Sequence, residues 1–274
     1  MNRYLKGTLL ALVALFGLLT CFAIGLLVYV LGEPAELDLG VDEASFVVAL
    51  QEQLRLGHVV LTPDGERVVI FGEVTYQFHV LTIQERVGVG FIRAFHGDYG
   101  QAISQNATVG SLIGWPLGRS FLYLFAFGLF SFLPGVFAPK ERNGKRALLY
   151  GVLALGLMGL GLGFFFGWGL PYVGFALLGA ALLLGLFAIN QVWLPRLSIY
   201  ARSMVVSFFF LLLEVGLFAA YPQMQEAGSL LSFGVGAKDN HLLAPMTFFL
   251  CLQGFVCLCV ALLLAVRKKK EAKA

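Results

Sequence analysis

Charged residues are scarce in this sequence. Only 13% of its 274 residues are charged, whereas 59% are hydrophobic. A soluble domain carries closer to about 25% charged residues, so this composition excludes an ordinary soluble globular protein. The net charge of +3 is also too small to indicate a nucleic-acid partner. The surplus of apolar residues instead predicts a chain that is buried in membrane lipid.

Cysteine and histidine are few as well, with four of each. The cysteines all fall in apolar runs, and their spacing provides neither a disulfide framework nor a zinc site. They are Cys21, Cys251, Cys257 and Cys259. No two histidines have the i, i+4 spacing of a helical metal site, and no phosphate-binding loop or serine nucleophile motif is visible. We therefore predict no enzyme activity, no metal and no cofactor, and a membrane-embedded enzyme is disfavoured.

Apolar runs of roughly 20 residues are long enough to cross a bilayer as helices. Six such runs occur, at residues 8–31, 117–138, 147–167, 173–194, 204–221 and 242–266. The first is too long for a signal-peptide core, so we interpret it as a retained helix. The third and fourth are rich in glycine and alanine, which permits close packing, and their short connection predicts a helical hairpin.

The basic residues predict the orientation. With the N-terminus inside, 13 of the 19 Lys and Arg residues fall in short cytoplasmic pieces, and the outer side holds 13 of the 16 acidic residues. Those pieces are residues 1–7, 139–146, 195–203 and 267–274. By the positive-inside rule both termini are predicted to lie in the cytoplasm.

Residues 32–116 form the one long segment outside the membrane. We predict a helix at 42–56 that Gly57 ends, and a β-hairpin in which residues 59–61 and 68–70 flank a turn at Pro63, Asp64 and Gly65. Residues 74–83 are a candidate third strand, and residues 85–95 a short helix. A segment this short is not expected to fold independently of the membrane helices.

The predicted fold class is therefore an all-α integral membrane protein. It has about six transmembrane helices and a small α+β extracytoplasmic insertion between the first and second. The chain divides into the N-terminus and first helix (1–31), the outer segment (32–116), helices two to six (117–266) and a basic cytoplasmic tail (267–274).

Glu214 is the one acidic residue inside a predicted span. A charge at membrane depth costs roughly 3 kcal/mol on insertion scales, so it marks a candidate functional site. The alternative is structural, with Glu214 near the outer interface and satisfied by water or a neighbouring helix. Gln253 is a milder polar intrusion that suits hydrogen bonding between helices.

Two stretches carry a resemblance to a known family. Residues 91–134 contain the turn sequence HGDYG at 96–100 followed by VGSLI at 109–113, and residues 212–267 contain LLEVGLFAAYP around Glu214. The opening MNRYL and the VLGEPAE that ends the first span add to it. These features resemble the permease subunits of peptide/nickel importers of the ATP-binding-cassette class.

The resemblance implies a function and a set of partners. It implies a subunit of an ATP-driven importer of oligopeptides or similar solutes in a bacterial cytoplasmic membrane. The implied partners are a second permease subunit, two ATP-binding subunits and an extracytoplasmic solute-binding protein, besides membrane lipid. Glu214 and Gln253 would then line the translocation path, and Arg196, Tyr200 and Arg202 would form the loop that contacts the ATPase.

One departure keeps a second interpretation open. The family has a cytoplasmic coupling loop of some tens of residues between its fourth and fifth spans, with a glycine motif. Here that interval is only LPRLSIYARSM, at residues 194–204, without the motif. The alternative is a non-transporting accessory or assembly protein that kept the permease fold and lost ATPase coupling. The loop arginines would then be positive-inside anchors.

Overall fold

A computed structural model describes residues 3–32, 43–70, 74–105, 107–133, 143–192 and 199–271 of the chain. Its elements, in chain order, are α1 (Arg3–Gly32), α2 (Glu43–Leu56), β1 (Val59–Ile70), β2 (Val74–Val80), α3 (Ile83–Phe95), α4 (Val109–Ser131), α5 (Gly144–Leu162), α6 (Pro171–Val192), α7 (Ile199–Phe218), α8 (Ala227–Gly236) and α9 (Asn240–Glu271). A π-helical turn, Gly163–Gly167, extends α5.

Six of these helices, α1, α4, α5 with its π turn, α6, α7 and α9, are long and apolar enough to cross a membrane. A small two-stranded sheet lies between the first two of them in sequence. The predicted fold class is thus confirmed. Each of the six predicted spans overlaps one of these helices, as expected because lipid-facing backbone must satisfy its hydrogen bonds within the segment. Residues 134–138 of the second predicted span and 193–194 of the fourth lie outside the described residues.

The start of the second span differs from the prediction. The sequence predicts that the second span begins at residue 117. The structure instead has one continuous helix from Val109 to Ser131 that contains Pro116. Proline is tolerated inside membrane helices when neighbouring helices pack around it, and Pro116 is buried.

The sheet is confirmed, but the turn of its hairpin was predicted at the wrong place. β1 continues through Pro63, Asp64 and Gly65 and pairs antiparallel with β2. Both Leu61 and Glu66 lie opposite Phe78, so residues 62–65 form an irregularity within the strand. The apolar residues on both sides of this stretch pair with the same partner strand, and this pairing overrides the local turn signal.

The outer segment packs on a small core of its own, formed by Leu50 of α2, Val59 and Phe78. Arg55 at the end of α2 donates to the carbonyl of Ala102 at 3.0 Å. Hydrogen bonds from the Arg55 guanidinium also hold the pKa of the Glu52 carboxyl below its usual value. The helices predicted at 42–56 and 85–95 are both present, as α2 and α3.

Asp239, immediately before α9, fastens the outer segment to the membrane helices. Its Oδ1 accepts from the backbone N–H of Leu242 at 3.0 Å and so caps the first turn of α9. Its Oδ2 accepts from the backbone N–H and the hydroxyl of Ser104, at 2.9 and 2.6 Å. Nearby, the Nε2 atoms of His58 and His241 lie 3.3 Å apart. The outer segment therefore contacts the start of α9 directly, and its dependence on the membrane helices for folding stays a prediction.

The spans pack in an order that leaves two of them at the edges. α4, α7 and α9 contact one another at the centre, and α6 contacts α4 and α7. Among the described elements, α5 packs only against α6 and its own π turn, and α1 only against α9 and α3. The predicted α5–α6 hairpin is close-packed: a Cβ at Gly174 would lie 2.6 Å from the carbonyl oxygen of Gly161.

Orientation is open to a direct test by labelling of introduced cysteines. Asp64 and Lys145 are both exposed and lie on opposite sides of α4 in the chain. We expect an Asp64→Cys variant in intact cells to react with a membrane-impermeant maleimide, and a Lys145→Cys variant to react only after permeabilisation. The unmodified chain, whose four cysteines lie in helices, is the control. The opposite labelling pattern would overturn the predicted orientation.

Candidate functional site

Glu214 lies at the centre of the bundle. It belongs to α7, its side chain contacts Ser120 of α4, and it is only 1% exposed. Its Oε1 atom has no hydrogen-bond partner among the described residues. A carboxyl at membrane depth is expected to point into the protein, because an unpaired charge facing hydrocarbon is costly.

Ser120 of α4 connects the two polar residues that the sequence singles out. Its Oγ lies 2.9 Å from Oε2 of Glu214 and 3.2 Å from Oε1 of Gln253 on α9. The Gln253 amide nitrogen donates to the carbonyl of Leu117 at 3.3 Å. One polar cluster therefore links α4, α7 and α9; we call Ser120, Glu214 and Gln253 the central cluster.

A second buried carboxyl, that of Glu226, contacts α4 at Arg119, the residue before Ser120. Glu226 is fully buried, and its Oε1 accepts from Arg119 at 2.6 Å and from the Tyr172 hydroxyl at 3.0 Å. The Tyr123 hydroxyl lies 3.4 Å from the same oxygen. The Arg119 guanidinium also sits over the Trp115 ring, 4.9 Å from its centroid. This ion-pair cluster joins α4, the start of α6 and the residue that precedes α8.

Glu226 is the residue immediately before the short helix α8, and the packing of α8 places it beside Arg119. Ten residues are too few to span a bilayer, and α8 packs against α4, α7 and α9. The Ser229 hydroxyl donates to the carbonyl of Phe218, the last residue of α7, at 2.9 Å. The chain therefore turns back into the bundle after α7 and reaches α9 from the end at which α7 finishes.

Sequence reasoning did not identify the ion-pair cluster or α8. Arg119 is recognisable as a cation at the edge of an apolar run, and such a residue needs an anionic partner. That partner is 107 positions away in the chain, so periodicity cannot reveal it. Ser120 carries no signal at all, because a serine hydroxyl is unremarkable in a membrane helix.

Of the three proposed coupling residues, the structure describes the side chain of Arg202 alone. Arg196 lies outside the described residues. Tyr200 falls in the first turn of α7, where the helix is described but this side chain is not. The Arg202 side chain is half-buried, and its Nε and Nη1 have no hydrogen-bond partner among the described residues. Their role in contacting an ATPase stays a prediction.

Comparison with known proteins gives no match: no family model, no curated protein and no solved structure is similar to this chain. Its assignment therefore rests on its own helices and on the chemistry buried between them. Six helices have the length and apolar composition of membrane spans, and three of them share the central polar cluster. The chain is a multi-pass membrane protein.

Proposed function

We propose that the chain is a permease subunit of an ATP-driven importer, with a solute path that passes the central cluster. The observation that carries this proposal is the buried carboxyl of Glu214, held between three spans without a cationic partner among the described residues. A buried carboxyl in an apolar bundle is costly, and hydrophobic packing alone would be served better by leucine. Its presence favours a role in moving a polar solute.

The arrangement of α8 supports the same function. A short helix that turns back into a bundle brings polar backbone and side chains to membrane depth, where they are protected from lipid by other helices. The Arg119–Glu226 pair connects α4 with the start of α8. In the proposed mechanism, this pair closes one end of the path, and rearrangement of α8 against α4 opens it.

Energy for that rearrangement would come from partner subunits. We propose a second permease subunit to complete the path, two ATP-binding subunits to drive the change of state, and a solute-binding protein outside. An oligopeptide is the proposed solute class. ATP can shift the equilibrium between two states only if the ATP-binding subunits contact them differently. The cytoplasmic ends of α6 and α7 are the proposed contact.

A second candidate function has one observation in its favour. Only residues 193–198 separate α6 from α7, whereas the family that the sequence resembles has a coupling loop of some tens of residues there. A non-transporting accessory or assembly protein needs no such loop. Purification of the tagged full-length chain from its native membrane separates the two functions, because only the permease brings an ATP-binding subunit with it.

Transport itself is tested in proteoliposomes that contain the purified complex, its solute-binding protein and labelled tri- to pentapeptides. We expect Glu214→Gln to assemble normally but to lower ATP-dependent uptake to the level of liposomes without ATP, since the variant keeps the side-chain shape and removes the ionisable group. Asp64→Asn, which removes an exposed carboxyl in the outer sheet, should leave uptake unchanged. Full uptake by Glu214→Gln would restrict Glu214 to a structural role.

A further inference from the structure

The central cluster contains one hydroxyl proton between two oxygen acceptors. Ser120 Oγ is within hydrogen-bond distance of Glu214 Oε2 and of Gln253 Oε1. A serine hydroxyl carries a single proton and can donate to only one of them at a time. One of these two contacts must therefore receive its proton from another group.

Gln253 cannot supply that proton by turning its amide over. Its nitrogen donates to the carbonyl oxygen of Leu117. Exchanging the amide oxygen and nitrogen would place two acceptors face to face at this carbonyl and would leave it without its donor. The amide oxygen of Gln253 therefore faces Ser120 and accepts.

A proton on Glu214 completes the chain of hydrogen bonds. The acid O–H at Oε2 donates to Ser120 Oγ, the Ser120 hydroxyl donates to Gln253, and Gln253 donates to Leu117. Glu214 Oε1, which has no partner among the described residues, is then a neutral carbonyl oxygen. Leaving a charged oxygen unpaired costs more free energy than leaving a neutral one unpaired.

Glu214 has no ion pair among the described residues that would hold it as a carboxylate. Arg119 of α4 is committed to Glu226, as are the hydroxyls of Tyr123 and Tyr172. α9 contributes Gln253, which is uncharged, and cysteine side chains that are neutral as thiols.

We propose that Glu214 is a proton-binding site, occupied in the folded protein at neutral pH. Loss of the proton to water breaks the O–H bond of the acid and leaves a carboxylate. Ser120 then turns its own hydroxyl toward Glu214, so the hydrogen bond from Ser120 to Gln253 breaks. Proton release at α7 therefore loosens the contact between α4 and α9. This inference does not depend on the transport function proposed above.

Infrared spectroscopy of the full-length protein in lipid nanodiscs tests the proposal, because the carbonyl band of a protonated acid is separate from carboxylate and amide bands. At pH 7 we expect such a band in the wild type and its loss in Glu214→Gln. Glu226→Gln should retain the band, which excludes the second buried carboxyl as its source. Ser120→Ala should move the band to the higher frequency of a more weakly hydrogen-bonded acid.

Thermal unfolding provides a second measurement that does not rely on band assignment. If the folded state holds a proton that the unfolded state releases, stability falls as pH rises, because the folded state binds more protons. Wild-type stability should therefore decrease from about pH 5 to pH 9 relative to Glu214→Gln, whose amide donates to Ser120 at every pH. A wild type without the acid band at pH 7, or with the same pH profile as Glu214→Gln, would show that Glu214 is ionised and overturn the proposal.

Discussion

Replacing Arg119 with methionine should destabilise the folded protein by about 3 kcal/mol, since removal of one member of a buried ion pair leaves an uncompensated charge. Glu226 is fully buried and would keep only the two tyrosine hydroxyls as donors. We place the effect at the lower end of the range for buried pairs because the Arg119 side chain is 28% exposed. Unfolding by SDS titration in mixed micelles measures it.

The matched control is the double variant Arg119→Met, Glu226→Gln. It removes both charges and keeps a polar group that still bonds the tyrosine hydroxyls, so most of the lost stability should return. A double-mutant cycle with the single variants gives the coupling energy directly. Additive losses, with the double variant as unstable as the sum of the two single variants, would contradict a mutually stabilising pair.

Replacing Gly228 with alanine should destabilise the folded protein about as much as Arg119→Met, but for a steric reason. A Cβ at this position would lie 2.1 Å from the carbonyl oxygen of Val215 in α7. The obstructing atom is backbone, so the clash is relieved only when α8 moves away from α7. Overpacking of this kind costs about 1–3 kcal/mol, and we expect the upper end of that range. The displaced start of α8 would also pull Glu226 from Arg119.

Gly216→Ala is the control for this prediction. Gly216 lies one residue beyond Val215 on the same helix, and a Cβ there would meet no atom within 4 Å. Alanine has the higher helix propensity, so this variant should unfold at the same SDS concentration as the wild type or a higher one. Equal stability of Gly228→Ala and Gly216→Ala would show that α8 is not held tightly against α7.

The spans and Glu214 were accessible to sequence reasoning because each depends on local composition. A run of apolar residues has few alternatives to a membrane helix, and a single carboxyl within such a run must be accommodated by other helices. The position of Glu214 inside the bundle follows from that cost. The proximity of Glu214 to Gln253 does not follow from that cost. It depends on how α7 and α9 are rotated about their axes, and these two helices meet only in the folded chain.

The remaining features depend on contacts distant in sequence. Pro63 and Gly65 favour a local turn, but β2 offers both apolar parts of β1 the same partner, and the longer ladder prevails. Pro116 suggests a break, yet it is buried within a continuous helix. In the sequence Glu226 has the pattern of an ordinary loop carboxylate, but α8 turns back into the bundle and Glu226 then lies beside Arg119.

The order in which the spans pack bears on how many subunits the proposed permease would need. Among the described elements, α1 and α5 stand at opposite ends of the bundle, and each is held by one neighbouring span. The described helices therefore make a wall rather than a closed ring, with Ser120 and Glu214 of the central cluster buried within it. For the proposed permease, this wall would supply one side of the solute path, and the second permease subunit would supply the facing side.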